Sequence, residues 1–155
     1  KLPKIDGRGA IYKLKINNIN IQLIDQSYNA NPETMIQSIR NFSKIKNKRY
    51  QKILVLGEMN ELGIDALKFH ILVIKETTQH VFDNVIFSGD LFKKALKMFP
   101  NFKNKFIYKS TSKDIMYYLE KNLHKKAMIM AKCSNATEVN KFVTLLKLEK
   151  KDKIV

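Results

Sequence analysis

The chain has 155 residues and a mass of 18.1 kDa, with 29 Lys and Arg against 14 Asp and Glu, for a formal net charge of +15. That length fits one domain, and a hydrophobic fraction of 45% is ordinary for a packed core, which argues against charge-driven disorder. No apolar run approaches the ~20 residues of a membrane span, the start carries no signal-peptide pattern, and Cys133 stands alone, so an internal disulfide is excluded and a reducing compartment is expected.

Ile11–Ile16 alternates in polarity and meets Asn17-Asn18, a pair that tolerates the positive φ of a tight turn. Ile19–Asp25 alternates again, so the two segments predict a β-hairpin. Asn31-Pro32 predicts a helix start, with Asn as N-cap, Pro at the first position and Glu33 at the positive end of the dipole. Met35, Ile36, Ile39 and Phe42 give that helix one apolar face. Ile53–Leu56 is a short apolar run ending at Gly57, the pattern of a buried parallel strand. After a loop over Glu58–Asp65, the periodicity predicts helices at Ala66–Gln79, Leu91–Met98, Lys113–Asn122 and Thr137–Leu148, and strands at Val85–Phe87, Phe106–Tyr108 and Ala127–Ala131. Lys150–Lys153 reads as a frayed tail, and an opening on Lys1 in place of Met reads as a segment of a longer chain. The expected fold is α/β: a Rossmann-like, open, mostly parallel sheet with helices on both faces, opened by a hairpin. Ligands of such sheets bind beyond the carboxyl ends of the strands.

The positive charge is nearly all Lys; only Arg8, Arg40 and Arg49 carry guanidinium groups, and the lysines are spread along the chain. Arg forks serve base and bidentate phosphate recognition, so a solvated basic surface is favoured over a specific nucleic-acid face. The catalytic inventory is thin. No phosphate loop of GxxxxGK[ST] type occurs, no Cys/His spacing suits zinc, and Cys133 has no His near it in sequence. His70 and His80 lie on a mainly apolar helix and read as packing residues, and His124 reads as a helix-end residue.

Three loops at strand ends carry more chemistry. Asp25-Gln26-Ser27-Tyr28-Asn29-Ala30-Asn31-Pro32 gathers a carboxylate, amides, a hydroxyl and a phenol before a helix. It is either a capped connection or a site for a ribose or another polar ligand. Gly57-Glu58-Met59-Asn60-Glu61-Leu62-Gly63 is not a dinucleotide fingerprint and is compatible with a plain connection. Lys132-Cys133-Ser134-Asn135 is either surface charge with capping or a carboxylate-holding pair, Lys132 and Ser134.

Asp25 to Pro32, with Met35 following, strongly resembles the DDSYNANPxSM segment of the Mur ligases, in the branch that adds D-alanyl-D-alanine. Gly57 to Gly63 resembles that family's GDMxELG segment, with His70 where the family carries a His soon after it. Ser88-Gly89-Asp90-Leu91 resembles its VGxL-like turn, Met130 to Asn135 its VKGS segment, and Gly7-Arg8 the GR pair before the hairpin. The resemblance implies three domains, of which this chain is the third. The N-terminal domain for the UDP-sugar peptide and the central domain for ATP and Mg²⁺ lie outside it. It implies a bacterial, cytoplasmic enzyme. ATP activates the carboxylate of UDP-N-acetylmuramoyl-tripeptide as an acyl phosphate, and the amine of D-alanyl-D-alanine attacks it. It further implies nucleotide contacts from Arg8, Asp25, Gln26, Tyr28, Asn29 and Asn31. Lys132 and Ser134 would face the dipeptide, and the domain would hold neither a metal site nor, when isolated, any activity. Three residues depart from the pattern: Gln26 for the second Asp, Glu58 for Asp, and Cys133 for a Gly that would strain the backbone if φ there were positive. Two other readings are a Rossmann-type regulatory nucleotide-binding domain and a basic nucleic-acid-binding module.

Overall fold

In the computed structural model, which describes residues 7–150, the predicted hairpin forms from β1 (Ala10–Ile16) and β2 (Ile19–Gln26), paired antiparallel with Ile16 opposite Ile19. Its turn residues Asn17 and Asn18 both adopt positive φ, 47° and 65°, the conformation that Asn accepts most readily after Gly. Every predicted strand and helix then appears in order: α1 (Pro32–Ser43), β3 (Gln51–Leu56), α2 (Ala66–Thr77), β4 (Asn84–Phe87), α3 (Asp90–Leu96), β5 (Phe106–Tyr108), α4 (Ser112–Asn122), β6 (Ala127–Lys132) and α5 (Glu138–Lys150). Two short 3₁₀ turns, Gly63–Asp65 and Pro100–Phe102, lie in connections. Lys150 closes α5 and so does not belong to a tail; Lys151–Lys153 lie outside the described residues.

The strands form one sheet in the order β1-β2-β6-β3-β4-β5, with every pairing parallel except that of the hairpin. The last strand therefore inserts between the second and third. This aligns Gln26 of β2 with Lys132 of β6, and Lys132 with Leu56 of β3, across the carboxyl end of the sheet.

Strand alternation divides the core between two faces. Ile21, Leu23, Ile53, Val55, Ile129 and Ala131 pack with Ile115 and Leu119 of α4 and Val139, Phe142 and Leu146 of α5. Leu54, Leu56, Met128 and Met130 pack on the other face with Met35 and Ile39 of α1, Val73 and Ile74 of α2, and Phe92 of α3. β6 is buried along its whole length because it has helices on both faces and strands on both sides. α1 starts as its sequence indicates: Asn31 Oδ1 accepts from the Thr34 N–H at 2.9 Å, and the Asn31 N–H donates back to Thr34 Oγ1 at 3.2 Å.

Candidate functional site

Asp25 continues the inward register of Ile21 and Leu23 and is 1% exposed. Its Oδ2 accepts from the Gly7 N–H at 3.1 Å and from Lys147 Nζ of α5 at 2.6 Å. Its Oδ1 accepts from the N–H and hydroxyl of Ser27 at 3.0 and 2.6 Å. Burial alone would pull the Lys147 ammonium down, but its bond to the Asp25 carboxylate holds it above the ordinary lysine value. Asp25, expected to contact the nucleotide, thus has four partners within the protein. Both carboxylate oxygens are occupied by the protein, and the side chain anchors the loop to α5.

The anchor shapes the residues beside it. Gly7 has φ +77°, and a Cβ there would lie 2.8 Å from Tyr28 Cβ and N, so only glycine fits this approach. The next residue, Arg8, extends over the exposed Tyr28 ring, its guanidinium carbon 4.2 Å from the centroid. Gly7, Arg8, Gln26, Tyr28, Asn29 and Lys132 line a groove of about 430 Å³, whose far wall is the α1 face carrying Ser38. Gln26 Oε1 accepts from Ser38 Oγ at 2.6 Å, so the amide that replaces a carboxylate is fixed by helix α1. Lys132 is nearly buried and donates to the Asn29 carbonyl at 3.2 Å; burial pulls its ammonium below the ordinary value.

The structure thus brings Arg8, Gln26, Tyr28, Asn29 and Lys132 together. Lys132 and Ser134 bond the adjacent carbonyls of Asn29 and Ala30, and of the two only Lys132 lines this groove. Ser134 is buried and ties three loops: Oγ accepts from the Asn60 N–H at 2.9 Å and donates to the Ala30 carbonyl at 3.4 Å, while its own N–H donates to the Glu58 carbonyl at 3.0 Å. Asn31 is committed to capping α1 and lies outside the groove lining.

The loop Gly57–Gly63 is fixed in the same way. His70 is fully buried; its Nδ1 donates to the Ala66 carbonyl at 2.7 Å, which leaves Nε2 as acceptor for the Met59 N–H at 3.1 Å. Burial lowers its basicity, against the opposing pull of the Ala66 bond and of Glu58. His70 is therefore a packed and bonded residue, as the apolar helix suggested. His80 pairs with Glu76 at 2.7 Å. Cys133 does not strain the backbone, because the residues other than glycine with positive φ are Asn17, Asn18, Glu61 and Ala136 among those described. Its Sγ is buried at 3.7 Å from the Ser27 carbonyl, and burial raises the thiol to about 12.

A second groove, of about 360 Å³, was not anticipated from the sequence. It lies past β3, β4 and β5, between Glu58, Ser88, Asp90, Tyr108 and Glu138. Its lining holds three carboxylates and neither Lys nor Arg. Glu58 Oε1 accepts from the Leu91 N–H at 2.6 Å. Glu138 Oε1 accepts from the Ser112 N–H at 3.2 Å, and its bond to Lys141 holds the carboxyl below the ordinary value. Ser88 Oγ is buried without a hydrogen-bond partner among the described residues. No group of three or more His, Cys, Asp or Glu side chains among the described residues could hold a metal ion, and no described helix is long and apolar enough to cross a membrane.

No protein-family model matches the chain. Solved structures match its fold over nearly its whole length. The MurF ligase of Thermotoga maritima in complex with ADP is 24% identical with a TM-score of 0.75, covering 96% of this chain and 32% of that one. A MurF from Acinetobacter baumannii is 18% identical with a TM-score of 0.78, covering 95% and 32%. The fold is that of a Mur ligase C-terminal domain. In sequence, the chain is 30% identical over 131 residues to the curated UDP-N-acetylmuramoyl-tripeptide–D-alanyl-D-alanine ligase of Buchnera aphidicola, covering 84% of this chain and 28% of that protein. The chain belongs to the Mur ligases as a C-terminal domain of the MurF branch, and it spans less than a third of each of these three relatives.

Proposed function

We propose that the chain is the third, closing domain of an ATP-dependent ligase that adds D-alanyl-D-alanine to UDP-N-acetylmuramoyl-tripeptide, with the UDP-substrate and central ATP-binding domains on the same longer chain. The observation that carries this reading is the pair of oppositely charged grooves at the carboxyl end of one sheet. The groove of Arg8 and Lys132 suits a nucleotide: two cations for phosphate oxygens, with Gln26 and Asn29 amides for ribose hydroxyls. The acidic groove of Glu58, Asp90 and Glu138 suits the ammonium end of the incoming dipeptide. This assignment moves the dipeptide away from Lys132 and Ser134.

In the reaction, the tripeptide carboxylate takes the terminal phosphoryl group of ATP. The dipeptide amine then attacks the acyl phosphate, and the tetrahedral adduct releases phosphate to leave the amide. Mg²⁺, bound by the central domain, would offset phosphate charge. This domain supplies position and water exclusion: Arg8 and Lys132 orient the nucleotide, and Glu58 and Asp90 orient the amine before it is deprotonated for attack.

The test uses the complete protein that contains this chain, supplied with ATP, Mg²⁺, the UDP-tripeptide and D-alanyl-D-alanine. Phosphate release that requires the dipeptide is expected, with Arg8→Ala raising the KM for ATP and Asp90→Asn raising the KM for the dipeptide. Release independent of D-alanyl-D-alanine would overturn the reading. The 155 residues alone should show no turnover and only weak nucleotide binding; tight nucleotide binding would favour a regulatory domain.

A further inference from the structure

The grooves above leave most of the +15 charge unused, and the fold gathers part of it at the opposite end of the sheet. The segments before β3 and β6 meet there, although they are far apart in sequence. Lys46, Lys48 and Lys125 line one groove of about 530 Å³ with Ile45, Tyr50 and Val81. Lys125 Nζ donates to the Lys48 carbonyl at 3.1 Å, which holds two ammonium-bearing residues against each other. Lys126 Nζ lies 5.9 Å from the ring centroid of Tyr50, and Arg49, which precedes Tyr50 in the chain, is exposed. None of Lys46, Lys48, Arg49, Lys125 and Lys126 makes an ion pair among the described residues. One carboxylate, Asp83, lines the groove with Lys46, Lys48, Lys52 and Lys125 and accepts from the Lys52 N–H at 2.7 Å, while Glu76 is held by Arg40 and His80. Like charges packed this way cost stability unless a counter-charge arrives from outside.

Within this cluster Val81 is 85% exposed. A nucleic-acid phosphate gains nothing from a projecting valine. A lipid interface uses both features, with ammonium groups on anionic headgroups and the apolar side chain at the acyl boundary. We propose that this end of the domain docks on a membrane surface rich in anionic lipid, through Lys46, Lys48, Arg49, Lys125 and Lys126 around Val81. Both substrate grooves then face away from the bilayer, since they lie beyond the opposite ends of the strands.

The experiment is co-sedimentation of the complete protein that contains this chain with vesicles of phosphatidylglycerol and phosphatidylcholine, compared with phosphatidylcholine alone, at about 0.1 M salt. Binding only to the anionic vesicles is expected. The Lys46→Ser, Lys48→Ser, Lys125→Ser triple variant should bind roughly 100-fold more weakly, and Val81→Ser about fivefold more weakly. The triple variant Lys13→Ser, Lys68→Ser, Lys113→Ser removes the same charge from exposed positions elsewhere and should bind as the parent does. Equal losses in the two triple variants would overturn the proposal, because total charge and not this surface would then be responsible. No binding to anionic vesicles would also overturn it, as would a Val81→Ser variant that binds them unchanged while duplex DNA binds through the same lysines.

Discussion

Replacing Asp25 by Asn should cost the domain far more than an isosteric change of one buried atom suggests. Asp25 is 1% exposed and accepts four hydrogen bonds, one of them from the Lys147 ammonium, whose side chain is 21% exposed. An amide can keep the two bonds from Ser27 through its oxygen. Its NH₂ group would then face two donors, the Gly7 N–H and the Lys147 ammonium. Breaking a buried ion pair from one side costs about 3–5 kcal/mol. We take the lower end, about 3 kcal/mol, because Lys147 retains a route to water. In a chain of this size each kcal/mol moves Tm by about 2–4 °C, so Tm should fall by about 6–12 °C. The chain lacks Trp, so urea unfolding is best followed by circular dichroism; the midpoint should fall with the slope unchanged. The pH dependence supplies a second readout. Lys147 is raised in the folded state, so its contribution is complete below the unfolded lysine value of about 10.4 and is lost as pH rises through the folded one. The parent should therefore lose more stability above about pH 10.4 than Asp25→Asn does. A loss under about 1 kcal/mol, or identical alkaline limbs in the two proteins, would refute the assignment of Asp25 as the anchor.

Cys133, buried and raised to about 12, should not react with a disulfide reagent at pH 8 until urea unfolds the chain; a stoichiometric native reaction would contradict its placement. Gly57→Ala should destabilise by about 1–3 kcal/mol, since the added Cβ would lie 2.6 Å from Cys133 Cβ and 2.9 Å from Val139 Cβ. Adding Cys133→Gly should recover part of that loss, and a strictly additive double variant in urea melts would show that the two residues do not touch. His70 is held neutral by burial, so the unfolded chain takes up its proton first on acidification, and stability should fall below about pH 6.5. His70→Gln should be weaker at neutral pH yet show a flatter acid limb in the same melts; parallel limbs would remove His70 from the account.

Most of the fold was legible because the chain uses local signals consistently. Asn17-Asn18, Asn31-Pro32 and the apolar run ending at Gly57 each mark a turn, a cap or a buried strand with its own physical cause. The burial of Asp25 was also within reach, for strict alternation from Ile21 and Leu23 turns it inward, away from Gln26. The placement of Lys132 was not within reach. It lies beside Gln26 only because β6 inserts between β2 and β3, and strand order leaves no periodicity in the sequence. The acidic groove escaped notice for a related reason. Glu58, Asp90 and Glu138 come from one loop and two helix starts far apart in sequence; Asp90 and Glu138 each stand in a helix first turn, and Glu58 accepts from the first turn of α3. An acidic residue there is already explained by the helix dipole.

The same reasoning governs the charge. Counted along the chain the lysines look evenly scattered, and an even scatter points to solubility. Counted in space, Lys46, Lys48 and Lys125 share one groove, and the described ion pairs involve none of them. A composition bias can supply lysines, but it does not select which loops converge. The parallel topology does that, since α1 and α4 run from the carboxyl end of the sheet to the other and deliver the segments after them to the same place. Two poles follow from one sheet: paired grooves of opposite charge where the strands end, and a surface with an excess of lysine over its one carboxylate where they begin.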